Sequence, residues 1–125
     1  MLRTLLVEDN RNFRESLKET LGLQAPSMEI IEAGDGREAL EKVDDLCPDL
    51  VFMDIKLPGE NGLTLTKRIK TNRPKTIIII LTSHDLPEYR EAASRHGADH
   101  FISKGLSTRE EILAVVESVL SDKKL

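Results

Sequence analysis

Polar residues that can bind a cation or a phosphate follow four short apolar runs of the chain. Glu8 and Asp9 come directly after the first run, and Asp54 comes directly after the third. Thr82 and Lys104 come at or just after the ends of the fourth and fifth runs. Carboxylates that lie close together repel one another and stay ionised only where a cation compensates them. Because hard oxygen ligands favour Mg²⁺ or Mn²⁺, the three acids predict a divalent-cation site.

A lysine and a threonine beside such a cation are suited to a phosphoryl group. The Lys104 ammonium would neutralise its charge, and the Thr82 hydroxyl would donate a hydrogen bond to one of its oxygens. Each residue type also has an ordinary explanation, because acids favour loops and helix N-termini and threonines cap helices. Their matching positions after successive runs indicate a site that handles phosphoryl groups.

The apolar runs have the composition of strands that are covered on both faces. They cover residues 4–7, 28–33, 50–53, 76–81 and 100–102. They are rich in Ile, Leu and Val and do not alternate strictly with polar residues, which is typical of parallel strands. The gaps between them carry apolar residues at helical spacing and are long enough for crossover helices. The pattern predicts an α/β domain with five parallel strands and five helices.

The order of the strands decides whether the polar residues meet. In an open parallel sheet, ligands bind outside the carboxyl ends of the strands, where the strand order reverses. In the flavodoxin-like, doubly wound order 2-1-3-4-5, strands 1 and 3 are neighbours at that point. Glu8, Asp9 and Asp54 would then converge in one small pocket. Thr82 and Lys104 would flank it from the next two strands.

Local signals predict where some helices begin and end. Asn12, Asp35 and Ser107 each stand three residues before a glutamate, which is the spacing of a capping box at a helix N-terminus. Gly22 and Gly97 stand where a left-handed residue would end a helix.

Length and composition limit the class of protein. The 125 residues suffice for one domain, 1–125. With 18 basic against 22 acidic residues the net charge is −4, which argues against direct binding to nucleic acid. The longest apolar run, 77–81, is far shorter than the about 20 residues of a membrane span. Cys47 has no second cysteine with which to pair. We expect a cytoplasmic domain without disulfides.

Four motifs resemble those of the receiver domain of two-component response regulators. The resemblance extends over residues 2 to about 120. The motifs are LLVEDN at 5–10, DLVFMDIKLPGENG at 49–62, ILTS at 80–83 and GADHFISK at 97–104.

The resemblance implies a role for each acid. Asp54 would accept a phosphoryl group from a phosphohistidine of a sensor histidine kinase or of a phosphotransfer protein. Glu8 and Asp9 would organise Mg²⁺, with Asp54 and the backbone carbonyl of Lys56 as further ligands. The protein would be a signalling switch that catalyses only its own phosphorylation and dephosphorylation.

The resemblance also implies how the switch works. Lys104 would pair with the phosphoryl oxygens, and Thr82 would move inward to hydrogen-bond one of them. Phe101 would then pack inward and change the surface around the fourth helix and fifth strand. Dimerisation on phosphorylation is common in this family. Lys56 and His84, two residues after Asp54 and Thr82 respectively, are predicted to tune the phosphoryl lifetime.

Departures from the common pattern indicate a subclass. Glu8 stands where many relatives have aspartate, and its longer arm could bind the metal through water. Gly105 follows Lys104 where many receivers have a proline after a cis bond, so we expect no cis bond there. With Ser103 before the lysine, this resembles receivers of the NarL/LuxR type. Those usually carry a helix-turn-helix DNA-binding domain, so the sequence is either a stand-alone receiver or one cut from a longer transcriptional regulator.

Two other functions stay open at this point. A phosphatase similar to the haloacid dehalogenases would also use an aspartate nucleophile and Mg²⁺, but it needs a second acid where Lys56 stands. A binding module could keep the receiver fold without phosphorylation, although all five key positions carry competent groups.

Overall fold

A computed structural model describes residues 2–105 and 108–122, in which a five-stranded sheet lies between two layers of helices. The strands are β1 (Arg3–Val7), β2 (Glu29–Ala33), β3 (Leu50–Met53), β4 (Ile77–Thr82) and β5 (His100–Ser103). The helices are α1 (Arg11–Gln24), α2 (Gly36–Leu46), α3 (Gly62–Asn72), α4 (Pro87–Arg95) and α5 (Thr108–Asp122).

The strand order is β2-β1-β3-β4-β5, and every neighbouring pair is parallel. The predicted doubly wound α/β fold and its order 2-1-3-4-5 are therefore confirmed. In the register of the central strands, Val7 of β1 lies beside Met53 of β3. The next residue of each strand is an acid, so this register places Glu8 and Asp54 side by side.

The core consists of two apolar layers, one on each face of the sheet. Leu5 and Val7 point into the layer covered by α2, α3 and α4, whereas Leu6 points into the layer covered by α1 and α5. Both faces are buried, which explains why the strands lack a polar alternation. Within the described residues, no helix is both long and apolar enough to span a membrane.

Several predicted helix boundaries can be compared with the observed ones. Asp35 caps α2, with its Oδ1 accepting from the Glu38 N–H at 2.8 Å, and Gly97 has the expected positive φ of 94°. Ser107 lies outside the described residues. The described chain contains no cis peptide bond.

Two boundary predictions for α1 were wrong. The cap is Asn10 rather than Asn12, because Asn10 directly follows the strand-end acids and its Oδ1 accepts from the Phe13 N–H at 3.0 Å. Gly22 lies inside the helix, which continues to Gln24. The Gln24 side chain donates to the carbonyl of Leu113 in α5 at 2.8 Å, and this contact with a distant helix favours the extra turn.

A short hairpin that the sequence did not predict lies between β3 and α3. It pairs Lys56–Leu57 with Glu60–Asn61 and turns at Gly59, whose φ is 72°. A residue in this left-handed region is strained unless it is glycine. The hairpin leads the chain from the acid after β3 directly into the first turn of α3.

Candidate functional site

The structure brings together the three acids that follow β1 and β3. One carboxylate oxygen from each of Glu8, Asp9 and Asp54 lies within 4.8 Å of the others. Sheet hydrogen bonds continue past both strand ends, because the Glu8 N–H donates to the Ala33 carbonyl and the Asp54 N–H to the Val7 carbonyl, each at 3.1 Å. The backbone of each inner acid is therefore held by the neighbouring strand.

Lys104 supplies the positive charge nearest to the two buried acids. Its Nζ lies 2.5 Å from Glu8 Oε1 and 3.4 Å from Asp54 Oδ2. Glu8 and Asp54 are buried, whereas Asp9 is exposed. Buried charges are costly unless they are paired, so the Lys104 ammonium stabilises the two inner carboxylates.

The surroundings of the Glu8 carboxyl shift its pKa upward. Burial raises its pKa, and the neighbouring Asp54 charge adds to this, while hydrogen bonds from Lys104 and from the Asn10 N–H oppose it. The Asn10 N–H donates to Oε2 at 3.0 Å, so both oxygens of Glu8 already accept a hydrogen bond. Arg14 also donates to the Glu8 backbone carbonyl at 2.6 Å.

Asp54 is fixed by its own backbone and by a glycine. Its Oδ1 accepts from the Ile55 N–H at 2.7 Å, and its Oδ2 faces Lys104. A Cβ at Gly62, the first residue of α3, would lie 1.8 Å from the Asp54 carbonyl oxygen. No side chain fits in that space. The motif at 49–62 includes Gly62, but the sequence did not reveal the role of this residue. The signal that could have revealed it is a glycine in a helix, where a better helix former would be expected.

Thr82 and Lys104 lie on the adjacent strand ends β4 and β5. Thr82 is paired with Ser103 in the sheet, and the Lys104 N–H donates to the Thr82 carbonyl at 2.8 Å. The buried Thr82 Oγ1 accepts from the His84 N–H at 3.2 Å, the one hydrogen bond this hydroxyl makes within the described residues. Its own hydrogen is therefore available to a further acceptor.

Phe101 is half-buried at the edge of the core under an arginine that the sequence did not single out. The guanidinium carbon of Arg90 lies 4.6 Å from the centroid of the Phe101 ring. Arg90 is held there by two hydrogen bonds to the Asp85 carboxylate, at 2.6 and 3.0 Å. The Arg90 guanidinium also holds the pKa of Asp85 below its usual value.

Lys56 and His84 are both exposed and meet on one aromatic ring. The Lys56 Nζ lies 5.4 Å from the centroid of the Tyr89 ring, and the His84 ring approaches the same ring edge-on at 6.5 Å. Tyr89 is half-buried on α4. The two side chains predicted to tune the phosphoryl lifetime thus lie on the same small surface.

The carboxylate cluster fits a hard divalent cation. Ligands on opposite sides of Mg²⁺ are about 4.2 Å apart, since each lies about 2.1 Å from the ion. The three carboxylate oxygens lie within 4.8 Å of one another, so their separations are at most slightly larger than that span. Within the cluster the donors are carboxylate oxygens alone, which favours Mg²⁺ or Mn²⁺ over softer metals.

Comparisons with known proteins agree with this architecture. Residues 4–117 match the family model of the response regulator receiver domain. The chain is 34% identical over 119 residues to response regulator MprA of Mycolicibacterium vanbaalenii, which covers 95% of this chain and 50% of that protein.

Two solved structures share the fold. A CheY-like response regulator receiver domain protein from Methanospirillum hungatei is 26% identical with a TM-score of 0.89, and the match covers 98% of this chain and 95% of that one. A two-component response regulator of the LuxR family from Aurantimonas is 30% identical with a TM-score of 0.85, covering 96% and 85%.

The chain spans about half the length of the curated relatives it matches. Its own match to the receiver model nevertheless runs through all five strands and most of the last helix. The fold, the acidic cluster and the sequence match lead to one conclusion: this chain belongs to the family of response regulator receiver domains, the phosphoacceptor switches of two-component signalling.

Proposed function

We propose that this receiver domain accepts a phosphoryl group on Asp54 from the phosphohistidine of a sensor histidine kinase or a phosphotransfer protein. The observation that carries the proposal is the position of the Asp54 carboxylate. It lies at the open end of the sheet, in a cluster with Glu8 and Asp9, with the Lys104 ammonium 3.4 Å from its Oδ2. The nucleophilic carboxylate of Asp54 and the compensating charge of Lys104 are thus already adjacent.

The residues divide the chemistry among them. A carboxylate oxygen of Asp54 forms a bond to phosphorus as the bond from phosphorus to the histidine nitrogen breaks, and the electron pair stays on that nitrogen. The Lys104 ammonium would shift from the carboxylate to the phosphoryl oxygens, which carry the new charge. Glu8, Asp9, Asp54 and the backbone carbonyl of Lys56 would hold Mg²⁺ or Mn²⁺, whose charge stabilises the same oxygens.

The phosphorylated aspartate would act on residues at the ends of β4 and β5. The phosphoryl group brings about −1.5 to −2 charges and strong acceptor oxygens. Thr82 has a hydroxyl hydrogen available and would donate it to one of them. Its inward movement would let Phe101 pack further inward and alter the α4–β5 surface, which is a local charge change coupled to a packing change.

The wider context is part of the same proposal. Because the chain spans about half of its curated relatives, we infer that such a domain controls an output domain or an output protein in the cytoplasm. The likeness to a LuxR-family regulator, together with Gly105 after the lysine, favours a transcriptional regulator of the NarL/LuxR type. Phosphorylation-dependent dimerisation stays a prediction.

The proposal is tested with acetyl phosphate and Mg²⁺. We expect the intact mass to increase by one phosphoryl group, with the acyl phosphate removed by hydroxylamine. Asp54→Asn should abolish the increase, whereas Asp44→Asn, which removes an exposed acid of α2, should not. Beryllofluoride binding covers the case of a very short phosphoryl lifetime, because this phosphoryl mimic does not hydrolyse in the same way.

Other outcomes would contradict the proposal. A protein that takes up neither the phosphoryl group nor beryllofluoride would be a receiver-like binding module. Steady hydrolysis of a small phosphate ester, lost in Asp54→Asn, would instead support a phosphatase. Lys56 occupies the place of the second acid that such a phosphatase needs, and its side chain is exposed.

A further inference from the structure

We propose that Phe13 is a positioning residue for Lys104, with the face of its ring supporting the ammonium group inside the acidic cluster. This inference rests on the proposed function, in which Lys104 compensates the charge of the phosphoryl group. Phe13 lies in the first turn of α1, far in sequence from the lysine. The family motifs quoted above do not include it.

The contact is short and completes the surroundings of the ammonium. The Lys104 Nζ lies 4.1 Å from the centroid of the Phe13 ring, well inside the about 6 Å limit of a cation–π interaction. An ammonium group has three N–H donors. Glu8 and Asp54 account for two directions, and the ring face accounts for the third.

The ring is held in place independently of Lys104. The Phe13 N–H donates to the side chain of Asn10, whose own N–H donates to Glu8 Oε2. The cap that begins α1 therefore ties the backbone of Phe13 to the acid. The ring packs against the core layer beneath α1 and α5.

Such a support is suited to a lysine that must change partners. The ammonium lies closer to Glu8 than to Asp54, by 2.5 against 3.4 Å, yet the proposed reaction needs it at the phosphoryl oxygens. Lysine has a flexible stem, so its head is easily drawn away from a single carboxylate. A ring face attracts the charge without offering a competing hydrogen-bond acceptor, so the ammonium can shift between oxygens and keep this contact.

The test compares Phe13→Leu, which keeps an apolar side chain, with Phe13→Tyr, which keeps a ring. We expect Phe13→Leu to slow phosphorylation by acetyl phosphate and to weaken beryllofluoride binding, each by about tenfold. Phe13→Tyr should restore both to within about twofold of the unmodified protein. Both variants should bind Mn²⁺ with nearly unchanged affinity, because the three acids are untouched.

A double variant separates positioning from packing. In a Lys104→Met background, Phe13→Leu should add no further loss of beryllofluoride affinity, since no ammonium remains to be held. An equal loss in that background would overturn the proposal in favour of a packing role. An unchanged rate and affinity in Phe13→Leu would overturn it as well.

An NMR measurement tests the contact even if the proposed function fails. The ring should shift the Lys104 ε-methylene protons upfield, and Phe13→Leu should remove that shift. Its persistence in Phe13→Leu would contradict the contact. If the unmodified protein shows the shift but accepts no phosphoryl group and no beryllofluoride, the proposed function is wrong while the contact stands.

Discussion

The acidic cluster and the α4–β5 face lie at neighbouring strand ends, yet different contacts hold them. The pair between Glu8 and Lys104 has side chains only 4% and 18% exposed, whereas the pair between Asp85 and Arg90 has side chains 35% and 50% exposed. Exposed pairs of that kind add little to stability. The acidic cluster, which would receive the phosphate, is therefore held tightly. The α4–β5 face, which would respond to it, is held loosely.

The helices beside the two regions differ in the same way. Helix α3, which begins against Asp54, is capped by the Asn61 side chain, and its glycine touches the acid's backbone. Helix α4 has no side-chain hydrogen bond at its N-cap, Leu86, and Ala93 is its one buried residue. A switch benefits from this contrast, since the chemistry needs fixed geometry and the output needs a surface that can rearrange.

The largest effect is expected where α3 touches the acid. Gly62→Ala places a Cβ against the Asp54 carbonyl, so we expect it to lower the free energy of unfolding by about 4 kcal/mol and to abolish phosphorylation. Urea denaturation measures the loss. Gly22→Ala is the control, since among the described residues a Cβ at that site in α1 meets no atom within 4 Å apart from its chain neighbours and the helix's own backbone. There we expect a gain of about 0.5 to 1 kcal/mol. Equal effects at the two glycines would contradict the tight-packing explanation.

The second effect concerns the charge balance of the cluster. Lys104→Met leaves Glu8 and Asp54 without their cation, so we expect a loss of about 3 kcal/mol in the presence of a chelator. Mg²⁺ should restore more stability to this variant than it adds to the unmodified protein, because the two cations compensate the same acids. Urea denaturation with and without Mg²⁺ measures both quantities. A loss that Mg²⁺ leaves unchanged would argue against a shared site.

A smaller effect is expected on the exposed face. Arg90→Ala removes the guanidinium from the Phe101 ring and so should ease the inward movement of that ring. We expect an about threefold tighter binding of beryllofluoride, with little change in unfolding. Arg95→Ala, in the last turn of the same helix, removes an equal charge and is the control. Equal affinities in both variants would show that Arg90 does not restrain the switch.

The smallest effect is expected for a contact beside the cluster. Arg14 donates hydrogen bonds both to the Glu32 carboxylate and to the Glu8 backbone carbonyl. Burial raises the pKa of Glu32, but hydrogen bonds and charges from Arg14 and Lys18 outweigh it and lower the pKa overall. The resulting stability is present above the unfolded pKa and is lost as the pH falls through the lower folded pKa.

Glu32→Gln should therefore cost about 0.5 kcal/mol at pH 7 and progressively less below about pH 4.5. Urea denaturation at several pH values measures the difference from the unmodified protein. Glu19→Gln is the matched control on α1, because the structure gives Glu19 no ion pair within the described residues. A cost for Glu32→Gln that does not vary with pH would mean that the charge of Glu32 is not its source.

Local patterns carried most of the information about the fold. The runs that became β1, β3 and β4 each contain an unbroken apolar stretch, and Asp35 and Gly97 mark helix ends through side-chain and backbone preferences of their own. The meeting of Glu8 and Asp54 also followed from the sequence, because a parallel sheet in the doubly wound order places those two strand ends together.

Other contacts between residues far apart in the chain were decided by the tertiary structure alone. Lys104 pairs with Glu8, 96 residues away, and lies over Phe13, while Gly62 is required by the backbone of Asp54. The extension of α1 past Gly22 depends on α5 in the same way. The physical reason is that periodicity and capping act within a few residues. The angle and distance at which two elements pack depend on every side chain between them.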